Sequence, residues 1–387
     1  MTRPQAADRF LKVLDGMEYG HFELVTPEGK NYSFAGKNPG PKAQLTLREW
    51  SVLPNLLMYG DIGFAETYKA GLWESSNLQN FMTLALQNEK VILPYLHGSM
   101  ISRMAARFSY LLKSNTPAGS KRNIYTHYDL GNDFYKLWLD PGMSYSSALY
   151  TKPEDSLEQA QINKYDRIID RFDRTSGHML EIGCGWGAYA ERSMARGDFD
   201  LKAATISPAQ HEYAEKRVGS KAKIILEDYR YLEGKFDQIA SIEMFEAVGE
   251  KYWGLYFKKI KDLLASGGAA VIQTITIADE RFETYRRSGD AIRSFIFPGG
   301  MLPSPSRFGE EAAKAGLKVV DRMDFGQDYA RTLEVWLHNF EQARPAVQSL
   351  GFDDKFIRMW RFYLAACIAG FKTSRTNVMQ VELRHAT

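Results

Sequence analysis

The stretch Leu180-Glu-Ile-Gly-Cys-Gly-Trp-Gly187 constrains this chain more than any other. It reads as a buried strand that ends in a tight turn. An acidic residue, Glu181, lies on the strand, and glycines follow at 183, 185 and 187. Glycine lets a backbone turn sharply and approach a ligand without a Cβ in the way. A helix starting near Ala188 would aim its free N–H groups back at the turn. Together these make a nucleotide-type cofactor corner on an α/β sheet. The same string also occurs as an ordinary strand–helix turn without a ligand, so the rest of the chain has to decide.

Downstream, strand and helix patterns alternate. Leu201–Ile206, Lys223–Leu226, Phe236–Ile242 and Ala269–Ile277 read as strands. Pro208–Arg217 and Lys251–Leu264 read as helices, and a further helix from Leu157 to Phe172 leads into the glycine turn. Leu317–Met323 and Thr332–Asn339 suggest a last strand and helix. This alternation predicts an α/β fold, a Rossmann-like, mostly parallel sheet with helices on both faces. The chain has 387 residues, long enough for more than one domain.

The N-terminal part reads differently. His21–Val25 and Asn31–Phe34 flank Thr26-Pro-Glu-Gly29 as a hairpin. Lys42–Leu47 reads as a strand, and helices are expected from Leu53 and over Leu78–Gln87. A smaller α+β accessory domain over 1–113 is the expectation. Its last segment, about Leu96 to Lys113, spaces apolar residues by three and four among Arg103, Arg107 and Lys113. Such a basic amphipathic helix can lie on a membrane or pack on a neighbour. Ser114–Lys121 has the composition of a linker, leaving 122–387 as the catalytic domain.

Net charge is +2, too mild for nucleic acid to be held by bulk attraction. Two cysteines, Cys184 and Cys367, build neither a disulfide framework nor a metal cluster and fit a reducing compartment. No apolar run is long enough to span a bilayer, and the N-terminus lacks a signal-peptide pattern. The expectation is a cytoplasmic protein that meets lipid, if at all, from the surface.

In an open α/β sheet, ligands gather outside the carboxyl ends of the strands. Here those ends are Gly183–Gly187, Ile206–Gln210, Glu227–Tyr229 and Met244–Val248. Asp228 and Tyr229 are placed to hydrogen-bond and stack on a purine. No acidic residue stands about 20 positions past the turn, where a nicotinamide enzyme would need one. Glu181 with this short glycine spacing points to S-adenosylmethionine instead.

Several segments, in order, resemble the cyclopropane-fatty-acid synthase family of S-adenosylmethionine-dependent lipid methyltransferases. They are Tyr125–Asp133, Tyr145–Ala148, Glu181–Gly187, Thr205–Gln210, Asp228–Arg230, Met244–Gly249, Phe297–Pro303 and Asp328–Leu333. Gly60–Trp73 resembles the N-terminal domain of the bacterial phospholipid-acting members. The resemblance implies cofactor contacts at Tyr145, Ser146, Gly183, Cys184, Gly185, Thr205, Ile206, Gln210, Asp228 and Tyr229. It implies methyl transfer to a cis double bond of a membrane phospholipid acyl chain, through a carbocation. It also implies peripheral membrane contact and, by analogy, a homodimer.

Family members hold a bicarbonate ion as base. Carried over by position, its ligands would be Glu246, the backbone at Ile275, and Tyr329. The family's cysteine position holds Ser147 here, its histidine position holds Gln273, and the histidine that often follows the glutamate is Ala247. Serine and glutamine can hydrogen-bond an anion but cannot share its protons as thiol and imidazole do. The product expected is therefore methyl- or methylene-branched in preference to a cyclopropane. Arg286, Arg287 and Arg293 are candidates for lipid phosphate. A small-molecule methyltransferase, or a silent lipid-binding protein on the same fold, is the alternative.

Overall fold

A computed structural model of the chain describes residues 5–96 and 130–386. The amphipathic segment 96–113, except its first residue, the linker 114–121 and the start of the Tyr125–Asp133 motif lie outside these residues. Eleven strands are present among them: β1 (Tyr19–Val25), β2 (Asn31–Ala35), β3 (Asn38–Leu47), β4 (Trp73–Glu74), β5 (Ser176–Ile182), β6 (Asp198–Thr205), β7 (Lys223–Leu226), β8 (Phe236–Ile242), β9 (Leu264–Ile277), β10 (Leu317–Asp324) and β11 (Thr376–His385). The chain divides into two compact units.

The first unit comprises 1–112, 285–296 and 341–375. Its sheet runs β2-β1-β3-β4. β1 and β2 form the expected hairpin, closed where Gly29 donates to the Thr26 carbonyl at 2.9 Å. Two segments that the sequence reading placed in the catalytic domain belong to this unit instead, Tyr285–Ile296 and Glu341–Arg375. The reason lies in the helix Asp354–Lys372. It buries Ile357, Trp360, Phe362, Leu364, Ile368 and Phe371, too wide an apolar surface for one contact face. It packs on the helices Leu78–Gln87 and Val52–Lys69. Arg358 fastens it by donating to the Tyr68 and Trp73 carbonyls and pairing with Glu74.

The second unit holds a seven-stranded sheet in the order β10-β11-β9-β8-β5-β6-β7. β8, β5, β6, β7 and β9 run parallel, and β11 lies antiparallel between β9 and β10. One face is covered by the helices Leu157–Asp170, Ala188–Arg196 and Pro208–Val218, with Ile168, Tyr189, Leu201 and Val271 in the shared core. The helix Trp253–Leu263 buries Trp253, Tyr256, Phe257 and Ile260. β5 pairs with β6 on one side and β8 on the other. Strand order reverses there, and that reversal opens a crevice at the carboxyl ends.

Candidate active site

The glycine turn stands at this reversal. Gly183 and Cys184 both donate to the Ala204 carbonyl, at 2.9 and 3.0 Å, which pins the turn to the end of β6. Gly183 has φ 85°, and a Cβ there would come within 2.9 Å of the Met244 side chain. Gly187 has φ 83° and leads the helix Ala188–Arg196; a Cβ on it would press on Ala214 at 3.1 Å. Both positions need left-handed backbone and close approach, which only glycine gives without strain. A Cβ on Gly185 would meet nothing within 4 Å, so the turn presents an open backbone to a ligand. Beside it, Thr205 donates to Gln210 Oε1 at 2.9 Å, and Ile206 follows directly on β6.

Asp228 is held in place by a close neighbour. Its carboxylate accepts a fork from Arg230, Nε at 2.8 Å and Nη2 at 2.6 Å, and caps the Arg230 amide. Those bonds use three of the roughly four acceptor sites of the carboxylate and fix its orientation. Tyr229 packs edge-on against Tyr256, and its buried hydroxyl has no hydrogen-bond partner. That orphaned hydroxyl, the open turn at Gly185 and the Thr205–Gln210 pair suit the polar ends of a nucleoside cofactor.

Tyr145 packs edge-on against Trp138 and at a tilt against Tyr135 and Trp336. Ser146 is held by Lys164, whose ammonium donates to its Oγ at 2.6 Å. Lys164 is fully buried; burial lowers its pKa to about 8 against the pull of Glu243, Asp140 and Glu181. Burial raises the Cys184 thiol, with the Glu181 charge adding to it, so the thiol is an inert wall.

The residues Ser147, Gln273, Ile275, Tyr329 and Glu246 do come together, around a carboxylate that the sequence reading passed over. Glu243 follows the last residue of β8. Its Oε1 accepts from the Ser147 amide at 2.8 Å and the Gln273 side-chain amide at 2.7 Å. Its Oε2 accepts from the Tyr329 hydroxyl at 2.7 Å. Its backbone has φ 50°, a left-handed conformation that costs a non-glycine residue roughly 1–2 kcal/mol. Asp328 and Thr332 on the helix Gly326–Gln342 hold the Tyr150 and Ala148 amides, at 3.0 and 3.1 Å. That fixes the strap from which Ser147 donates. The Ser147 hydroxyl itself turns to the Ala148 carbonyl.

Gln273 stands opposite Gln380 in the β9–β11 register. Arg167 donates to Gln380, Gln380 donates to Gln273 at 2.9 Å, and Gln273 donates to Glu243. Arginine only donates, so the chain of amides has one polarity and delivers an N–H to the carboxylate.

Glu246 lies close by. One oxygen accepts from the Ile275 amide, and the other is buried without a partner. Burial and then the Glu243 charge push its pKa up to about 8. Burial also raises Glu243, but Tyr329, Ser147, Gln273 and Lys164 pull it back. Burial raises both carboxyls, and the three donors that end on Glu243 favour its charged form, whereas Glu246 has only the Ile275 amide. The site therefore holds a buried carboxylate fixed by three donors, one of them Tyr329, whose ring meets Trp336 edge-on.

Residues 116–381 match the model of the mycolic acid cyclopropane synthetase family. The chain belongs to that family. Among its relatives, a tuberculostearic acid methyltransferase (UfaA1) of Mycobacterium tuberculosis is 37% identical over 83% of this chain and 78% of its own. The cyclopropane-fatty-acyl-phospholipid synthase of Escherichia coli K12 is 33% identical over 93% of this chain and 94% of its own. Among solved structures of the cyclopropane synthetase family, CmaA1 complexed with SAH and CTAB superposes with a TM-score of 0.64 at 27% identity, over 68% of this chain and 97% of that one. This protein is accordingly an S-adenosylmethionine-dependent methyltransferase of the cyclopropane synthetase family.

Proposed function

We propose that the protein methylates the cis double bond of an unsaturated phospholipid acyl chain and that the product is a methyl- or methylene-branched chain. S-adenosylmethionine would supply an electrophilic methyl group at the glycine turn. Tyr145, Trp138 and Trp336 would face the electron-poor chain with ring faces, which stabilise positive charge. The carboxylate at the ends of β8 and β9 would complete the reaction by taking a proton. The observation that carries the reading is this buried carboxylate pair, Glu243 and Glu246, set beside a cofactor corner.

The branched product is supported by Ser147 and Gln273, which offer neither thiol nor imidazole, and by similarity to the tuberculostearic acid enzyme. Contact with lipid would be peripheral, since no described helix is long and apolar enough to cross a membrane. The first unit is the proposed lipid-facing accessory domain. A homodimer remains part of this reading by analogy.

The test is incubation with S-adenosylmethionine and vesicles of cis-monounsaturated phosphatidylglycerol, followed by mass spectrometry of the released fatty acids. A branched acid of one added carbon is expected. Cyclopropane acid alone would overturn the branching, and no methylated lipid would overturn the substrate class.

A further inference from the structure

We infer that Glu243 is the built-in base of this enzyme and takes the place of a separate bicarbonate ion. The inference rests on the methyltransferase reading above and names the group that finishes its reaction.

The first ground is occupancy of the donors. The Ser147 segment, Gln273 and Tyr329 are positions that the family resemblance gives to a bound bicarbonate. In this protein their three N–H and O–H groups already end on the Glu243 carboxylate, at 2.7–2.8 Å. A carboxylate offers the same planar O–C–O fork as bicarbonate. Two such anions cannot share one set of donors in a buried site. Bicarbonate therefore does not fit beside Glu243.

The second ground is polarity. The relay from Arg167 through Gln380 fixes Gln273 as a donor. A donor that cannot turn suits an anion that is always present, because an empty anion site would leave that N–H unpaired. The third ground is the backbone. Glu243 sits at φ 50°, where glycine would be free of strain. A strained residue kept at a site is a pointer to use, and here its side chain is the use.

The chemistry balances without a further reactant. Once the acyl chain bears the new methyl and a positive charge on the neighbouring carbon, a Glu243 oxygen takes a proton. If the proton comes from a chain carbon next to the cation, the C–H pair forms a carbon–carbon double bond. If it comes from the methyl, the pair closes a ring, or forms a methylene group if a hydride has first shifted the cation to the methyl-bearing carbon. Glu243 leaves the step as a neutral acid and returns its proton to water. Glu246 lacks such a donor set, since one oxygen accepts from the Ile275 amide and the other has no partner, so the charge that a base needs is held at Glu243.

The experiment uses the full chain, S-adenosylmethionine and cis-monounsaturated phosphatidylglycerol vesicles, in buffer freed of carbon dioxide, with sodium bicarbonate or matched sodium chloride added. Wild-type turnover should be the same in both. Glu243→Gln should lower kcat by about 10²–10⁴-fold, the usual worth of a general base, with no recovery in bicarbonate. Glu243→Gly frees the donors, so bicarbonate should raise both its turnover and its melting temperature while leaving the wild-type melting temperature unmoved. A wild-type rate that requires bicarbonate would overturn the inference, as would Glu243→Gln turning over at the wild-type rate. If Glu243→Gly does not fold, the other two comparisons decide. If the wild type methylates no lipid, the substrate reading falls. The melting comparison still rules on the anion, because equal stabilisation of wild type and Glu243→Gly by bicarbonate would refute the built-in carboxylate.

Discussion

Glu243 and Glu246 lie three positions apart, yet one gathers three donors and the other keeps a bare oxygen. That asymmetry has a pH signature. The Glu246 pKa is about 8 in the fold against an ordinary 4.5. Between those values the folded protein holds a proton that the unfolded chain has lost, so this group makes stability fall as pH rises from about 4.5 to about 8. Glu181, also raised by burial to about 8, acts in the same direction. Glu246→Gln stays neutral and keeps an acceptor for Ile275. Relative to wild type it should gain stability across that window, by at most about 1.4 kcal/mol per pH unit. Urea midpoints of both proteins at pH 5 and pH 8 measure this; a pH-independent difference would mean that Glu246 ionises normally. Gln273→Leu should cost about 1–3 kcal/mol by stranding the Gln380 amide and one Glu243 lone pair, read from the same urea curves. The sequence did place Ser147, Glu246, Gln273, Ile275 and Tyr329 around one centre. It missed Glu243 because the loop after β8 was read from Met244 onward. The available signal was a charged residue directly after Phe236-Asp-Gln-Ile-Ala-Ser-Ile242, at the height where ligands bind.

At the scale of elements, the parallel strands and the helices between them were legible because their apolar runs are short and bounded by turn residues. β11 was not read, although Val378, Gln380, Val381, Glu382 and Leu383 mix apolar and polar side chains that are all buried. Its alternation is blurred because both of its faces are covered. β11 nonetheless delivers Gln380 and so orients Gln273. The glycine turn makes the sharper prediction. Gly183→Ala puts a Cβ against Met244 in a left-handed backbone. Strain of roughly 1–2 kcal/mol borne by the cofactor-binding form would weaken S-adenosylmethionine binding about five- to thirtyfold. Isothermal titration calorimetry measures it; unchanged affinity would show that the turn relaxes without reaching the ligand.

For the whole molecule, the boundary between units was the least legible feature. A sequence is read in order, whereas the first unit is assembled from three separated segments. The helix Asp354–Lys372 has the composition of any buried helix, and nothing local says which sheet it serves. A fragment ending at residue 112 should therefore lack a folded core, since the helices Val52–Lys69 and Leu78–Gln87 lose their packing partner. Circular dichroism and amide dispersion in nuclear magnetic resonance would show it, and a cooperative thermal transition in the fragment would refute it.

The three-segment build also sets an order of events during synthesis. The N-terminal segment leaves the ribosome first, but its last partner ends at Arg375. At roughly 5–20 residues per second, the 263 residues from 112 to 375 (375 − 112) take on the order of 10–50 s to appear. Through that interval Tyr68 and Trp73, which await Phe362, lack that cover. The second unit's parallel strands are complete by Ile277 and can pair in the meantime, with only the antiparallel β11 of that sheet made after Arg375. Newborn chains thus pass through a long half-built stage, in which the first residues made are among the last to be enclosed.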